Sequence, residues 1–247
     1  MRGEGKGLGT RDSGLGVFLP QPPQPPLLSC LTLTPRPSPL SPSPLLFEIL
    51  MNPKMLVVAT GNQGKLKEMQ AYLADEGWEL TLKPEELEIE ETGDTFAANA
   101  CLKASQVALS TGNWAIADDS GLQVDALGGA PGVYSARYGK TDQQRISRLL
   151  EALKDEPQRQ AQFVCAIAIA KPDGAIAIQA SGICPGEILH TPRGTGGFGY
   201  DPIFYVPQAK MTFAEMPPEL KRVLSHRGQA FKALIPQLQR VASGTSG

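Results

Sequence analysis

Residues 114–138 read Trp114-Ala-Ile-Ala-Asp118-Asp119-Ser-Gly-Leu-Gln-Val-Asp-Ala-Leu-Gly-Gly-Ala-Pro-Gly-Val-Tyr-Ser-Ala-Arg-Tyr138. Ala115, Ile116 and Ala117 form a short apolar run of the kind that makes a buried strand. The run ends in two adjacent carboxylates, Asp118 and Asp119, followed by Ser120 and Gly121. Neighbouring strand residues point to opposite faces, so the two acids are not expected to act as one bidentate unit. One faces a site and the other orients its surroundings. Leu122, Val124 and Leu127 restore the apolar character before a turn cluster from Gly128 to Gly132. An acid at the end of a buried strand, beside a glycine turn, is where open α/β proteins place their chemistry. The plain structural alternative is a strand closed by an Asx turn.

Upstream, Met55 to Ala59 reads as a second buried strand running into Thr60-Gly61-Asn62-Gln63-Gly64-Lys65. A helix follows with Leu66, Met69 and Leu73 on one face, ending near Gly77. Strand, glycine turn and helix make a phosphate-binding arrangement, with free amides at the helix start and Lys65 beside them. Leu66 stands where a Walker A loop needs Ser or Thr, so this is a different loop. Trp78 to Leu82 reads as a strand, and the acid-rich run from Glu85 to Asp94 as a solvated loop. A helix is expected from Thr95 to Leu109, with Phe96, Ala100, Ala104 and Val107 inward and Asn99 and Lys103 sharing another face.

Downstream, Thr141 to Gln144 is a capping box opening a helix that buries Ile146, Leu149, Leu150 and Leu153, a structural element with no chemistry implied. Gln162–Ala170 and Ala175–Cys184 read as an antiparallel hairpin joined by Lys171-Pro-Asp-Gly174, which makes the sheet mixed. The stretch Arg193-Gly-Thr-Gly-Gly-Phe-Gly-Tyr-Asp-Pro202 crowds glycines where a backbone must approach something closely. Phe198 and Tyr200 supply flat faces there and Asp201 an acceptor. A last helix, after Leu220 to Arg227, buries Phe231, Leu234, Leu238 and Val241, with a kink expected at Pro236. His190 has no assigned role. Arg227 offers only donors and His226 can present one, a pair suited to a hydrogen-bond acceptor.

Composition bounds these readings. A chain of 247 residues, 41% hydrophobic and 19% charged, with net charge −2, is an ordinary globular protein without the basic face that nucleic-acid binding needs. No run of about 18 apolar residues is present, so no membrane span is expected. The four cysteines show no metal-ligand spacing, and three of them, in apolar surroundings, read as small core residues, which favours a reducing compartment. Residues 1–50 are rich in Pro and Ser, carry neither an h-region nor a cleavage site, and are expected to be disordered. Met51 and Met55 stand just before the first ordered strand, consistent with an over-extended start. The folded domain is expected to be residues 51–247.

Four motifs together carry a resemblance. Thr60-Gly-Asn62, Ala117-Asp-Asp-Ser-Gly-Leu122 with Leu127 to Tyr138, Gly194-Thr-Gly-Gly-Phe-Gly-Tyr-Asp-Pro202 and Ser225-His-Arg-Gly228 resemble the signatures of the Ham1-like family, the inosine/xanthosine triphosphate pyrophosphatases. The resemblance spans about residues 55 to 241. It implies an α/β fold with a long mixed twisted sheet flanked by helices, in two lobes around a central cleft. It also implies a cytoplasmic homodimer, Mg²⁺ as cofactor, and hydrolysis of ITP, dITP and XTP to monophosphate and pyrophosphate. Residue by residue, it gives the phosphates to Thr60, Gly61, Asn62, Gln63, Gly64 and Lys65. Mg²⁺ falls to Glu91 and Asp119, and proton removal from the attacking water to Asp119. Ser120, Phe198, Gly199, Tyr200, Asp201, Lys221, His226 and Arg227 bind the rest of the nucleotide, while Lys103 and Lys221 add cations. Two rivals stand beside this reading: a Maf-like pyrophosphatase of other specificity, and a module that binds nucleotide without hydrolysing it.

Overall fold

In the computed structural model the described residues are 54–74 and 76–242, and the expectations for residues 1–50 lie outside them. Seven strands form one mixed sheet in the order β2-β1-β3-β4-β5-β6-β7. They are β1 Lys54–Val58, β2 Trp78–Leu82, β3 Ala115–Val124, β4 Gln160–Ala170, β5 Ile176–Ile188, β6 Phe204–Val206 and β7 Met211–Thr212. The helices are α1 Gln63–Leu73, α2 Phe96–Thr111, α3 Asp142–Ala152, α4 Pro218–Leu224 and α5 His226–Ala242. β1 pairs parallel with β2 and β3, each connection carrying a helix, as parallel neighbours require. Every later pairing is antiparallel.

The period of two along β4 sorts its residues onto two faces. Cys165, Ile167 and Ile169 pack with Met69, Tyr72 and Leu73 of α1 and with Phe231, Leu234 and Leu238 of α5. Ala166, Ala168 and Ala170 face Ala100, Ala104 and Ala108 of α2. Small side chains on both sides let α2 lie close to the sheet. Further along the same strands, Leu122, Val124 and Phe163 join Phe204, Phe213 and the α3 residues Ile146 and Leu149 in a separate core. The long strands β3 and β4 thus run through both lobes of the expected architecture. Arg159, buried, donates to the carbonyls of Leu153, Ile188 and Leu189, tying the end of α3 to the end of β5.

The strands are longer than the sequence pattern implied. Asp118 and Asp119 lie inside β3, because antiparallel pairing with β4 continues unbroken from Ala115 to Val124. What ends at the acids is the other neighbour: β1 pairs with β3 only through Val57–Ala115 and Val58–Ile116. Beyond that point, among the described residues, β3 has no strand neighbour on this side until the bridge from Gln123 to Pro131, and Ser120 in this interval lines the cavity described below. Three short elements, β6, β7 and α4, were not foreseen. α5 runs through Pro236 as one helix, and Val241 is partly exposed, contrary to its expected burial.

Candidate active site

The alternation of β3 sends Asp118 and Asp119 to opposite faces. Asp118 is fully buried, and its Oδ2 meets Lys65 Nζ at 3.1 Å and Arg227 Nη2 at 3.0 Å, with the Ser120 hydroxyl donating at 3.3 Å. Burial alone would push its carboxyl up; Lys65 and Arg227 hold it well below the usual carboxylate range. Arg227 also pairs with Glu68 and donates to Ser120 Oγ at 3.0 Å. Glu68 in turn meets Lys221 at 3.3 Å, and Lys221 meets Asp201 at 2.8 Å. Alternating charges therefore link the start of α1, β3, α5, α4 and the glycine loop.

On the other face Asp119 accepts from Asn99 Nδ2 at 3.1 Å and faces Lys103 Nζ at 3.3 Å. Both partners come from the buried side of α2, one turn apart as expected. Lys103 also reaches Glu91 at 2.7 Å, and Arg137 reaches Glu91 at 3.1 Å. Burial raises Asp119, while Lys103, closer to Glu91, helps hold Glu91 down against its own partial burial. Lys65 acts electrostatically on Glu91 and Asp119 as well as on Asp118, so its charge serves both faces across the open side of β3.

Glu91 and Asp119 converge on one ammonium, which marks them as two hard oxygen donors able to share a cation. Among the described residues no group of three His, Cys, Asp or Glu side chains gathers to hold a metal. A two-carboxylate site of this kind fits Mg²⁺, which keeps its waters and takes remaining ligands from substrate phosphates, better than it fits Zn²⁺.

The phosphate loop needs a correction. Asn62 caps α1, and its Oδ1 accepts from the Gly64 and Lys65 amides at 2.9 and 3.2 Å. Thr60 Oγ1 takes the Asn62 amide at 3.1 Å. The helix-start amides expected to be free are thus partly satisfied by side chains, as an N-cap dictates. Thr60, Gly61 and Gln63 are not among the residues that line the cavity, and Gly61 and Gln63 are exposed.

Asn62, Lys65, Ser120, Phe198, Gly199, Tyr200, Asp201, Lys221, His226 and Arg227 line one cavity of about 90 Å³. The Phe198 ring rests on Gly64, where an added Cβ would meet it at 3.0 Å. Asp201 Oδ2 accepts from the Phe198 amide at 2.9 Å, and Gly197 (φ +73°) leaves no room for a side chain against that carboxylate. Tyr200 is buried and donates to Ser135 O at 2.9 Å, so it braces the loop more than it presents a face. His226 is buried and stacked on Phe163 at 4.7 Å, and burial together with Arg227 depresses its pKa, leaving it neutral. Both Arg227 Nη atoms are engaged in ion pairs, and its Nε, like His226 Nδ1, is buried without a hydrogen-bond partner. A cavity of about 750 Å³ along β5 is larger, but it is lined by one carboxylate, Glu187, and no cation.

Sequence reasoning missed Glu68, three residues after Lys65 on α1 and hence on its side of the helix, which the i, i+3 spacing signalled. It also missed Asp142, whose Oδ2 accepts from the Gly199 amide at 2.7 Å and gives α3 a part in holding the glycine loop.

Buried acids interleaved with lysines, beside a helix start and a cavity that Lys65, Lys221 and the glycine loop line, define an α/β enzyme for phosphate-bearing substrates. The Ham1 family model matches residues 56–237, and the chain belongs to that family. It is 72% identical over 193 residues to a dITP/XTP pyrophosphatase of Nostoc sp., covering 78% of this chain and 98% of that protein. A Synechocystis sp. protein of the same description is 64% identical over 182 residues, with 74% and 94% covered. Among solved structures, a HAM1 protein from Coxiella burnetii is 46% identical with a TM-score of 0.70, covering 75% of this chain and 98% of that one.

Proposed function

We propose that the protein hydrolyses purine nucleoside triphosphates outside the standard set, ITP, dITP and XTP, to the monophosphate and pyrophosphate, and so cleanses the nucleotide pool. The observation that carries this is the convergence of Glu91, Asp119 and Lys103, with Lys65, which lines the cavity, acting electrostatically on both acids. A triphosphate carries about four negative charges, and lysines with a divalent ion are what neutralise it.

In this reading Lys65 and Lys103 draw the phosphates toward β3. Asp119 accepts a proton from the water that attacks the α-phosphorus; the bond from that phosphorus to the α,β-bridging oxygen breaks, and pyrophosphate leaves. Mg²⁺, held by Glu91 and Asp119, would neutralise charge on the leaving group. Phe198 lies against the nucleotide, with Lys221, Asp201, His226 Nδ1 and Arg227 Nε as polar neighbours of the base, and Ser120 touches the nucleotide between the two ends. Residues 51–247 form the catalytic domain. Following the resemblance, the protein is read as a homodimer acting in the cytoplasm. The buried free thiols Cys165 and Cys184, pushed up to about 12 and about 11 by burial, suit a reducing compartment. No helix among the described residues is long and apolar enough to cross a membrane.

Phosphorus NMR of ITP incubated with protein and Mg²⁺ tests the reaction. IMP and pyrophosphate should appear together; IDP with orthophosphate would refute cleavage at the α-phosphorus, and unchanged ITP would favour a binding module.

A further inference from the structure

We infer that Asn99 is a positioning residue that sets Glu91 and Asp119 in register as a pair of metal ligands; the inference rests on the metal-site reading above.

Asn99 is fully buried near the start of α2, where an amide without partners would cost about 1–3 kcal/mol. Each half of that amide is used. Nδ2 donates to Asp119 Oδ2 at 3.1 Å, and Oδ1 accepts from the Gly93 amide at 2.8 Å. Gly93 lies two residues beyond Glu91, in a loop that otherwise has no regular structure. One planar group therefore ties the strand bearing one carboxylate to the loop bearing the other. The contact is close: a Cβ at Gly93 would lie 2.7 Å from Asn99 Oδ1 and 2.8 Å from the Ala98 Cβ. Glycine at 93 is what lets the loop settle onto the amide.

Lys103 also touches both acids, but it is a cation and competes with any metal for them. Asn99 is neutral, so its two bonds are compatible with a dication nearby. It occupies Oδ2 of Asp119 and leaves Oδ1, the oxygen facing Lys103, for a cation. Residues that orient metal ligands in this way typically account for 10–100-fold in metal affinity or activity.

The test titrates Mn²⁺ by EPR into the full-length wild type, Asn99→Ala, Gly93→Ala and Glu91→Gln, and measures the Mg²⁺ dependence of ITP hydrolysis in parallel. Asn99→Ala removes both bonds. Gly93→Ala breaks the loop's bond and keeps Asn99, so it decides the matter should Asn99→Ala not fold. Both should weaken Mn²⁺ binding about ten-fold and raise the Mg²⁺ midpoint to match. Their kcat should recover at high Mg²⁺, with KM for ITP within about two-fold of wild type. Wild-type Mn²⁺ affinity and an unshifted Mg²⁺ midpoint in the folded variants would overturn the inference. If Glu91→Gln also binds Mn²⁺ like the wild type, the metal-site reading itself falls, and this inference with it.

Discussion

Because β3 turns successive side chains to opposite faces, Asp118 meets Lys65 and Arg227 while Asp119 meets Asn99 and Lys103. Their amide substitutions should therefore fail differently. Asp119→Asn removes the proton acceptor and should lower kcat about 10²–10⁴-fold with nucleotide binding retained. Its thermal midpoint should stay near wild type, since the carboxylate it removes is one that burial already disfavours. Asp118→Asn removes the partner of Lys65 and one of the two carboxylates on the buried Arg227, an effect of about 3 kcal/mol, or roughly 6–12 °C in Tm. Calorimetry on the two proteins checks this; equal Tm values would mean that Asp118 does not balance Lys65 and Arg227. His226 offers a second check. Its folded pKa is depressed by burial, with Arg227, Lys221 and Lys65 adding to the depression and Asp118 opposing it. Below about pH 6.5 the unfolded chain takes up a proton that the folded protein refuses, so stability falls with falling pH, by up to about 1.4 kcal/mol per unit. In His226→Gln the fall in Tm from pH 7.5 to 5.5 should be smaller than in the wild type. An identical fall would show that this imidazole is not the group responsible.

At the scale of elements, the decisive crossing is that of α5 over β5. A Cβ at Gly182 would run into the backbone of His226 and Ala230, so the first turn of α5 lies directly on the strand. Gly182→Ala should push that turn, with His226 and Arg227, away from the cavity. The expected result is a Tm several degrees lower and a raised KM for ITP; unchanged values of both would mean that the crossing tolerates a methyl group. The same elements show what the sequence made legible. β1 to β5, α2 and α3 announced themselves through apolar periodicity and the Thr141 cap, now seen accepting from the Gln144 amide. β6 and β7 are too short to complete a pattern, and the seven residues of α4 offer only Leu220 and Leu224, both partly buried, to the core. Within the site, the charged residues carried by motifs were legible. Glu68, Asp142 and the Gly93–Asn99 bond were not, because each finds its use only in a partner brought near by folding. The capping role of Asn62 was written beside Gly64 and Lys65, yet the glycine turn drew attention to free amides instead.

For the molecule as a whole, a Nostoc relative is matched over 98% of its length by 193 residues of this chain. The catalytic unit should therefore not need residues 1–50. Their removal should leave kcat, KM and Tm for ITP hydrolysis unchanged, and a Tm several degrees lower would show that they contribute to the folded unit. The base at the cavity decides which nucleotide is hydrolysed. A 6-oxo group offers an acceptor to donors from Arg227 Nε, His226 Nδ1 or Lys221, whereas the adenine amino group sets donor against donor, at about 1–3 kcal/mol for each unmade bond. The most direct measurement is kcat/KM for pyrophosphate release from ITP, dITP, XTP, GTP, ATP, dTTP and UTP at saturating Mg²⁺. ITP, dITP and XTP should exceed ATP by about 10²-fold or more, with GTP intermediate or low and the pyrimidines poor. ATP hydrolysed as efficiently as ITP would contradict this selectivity.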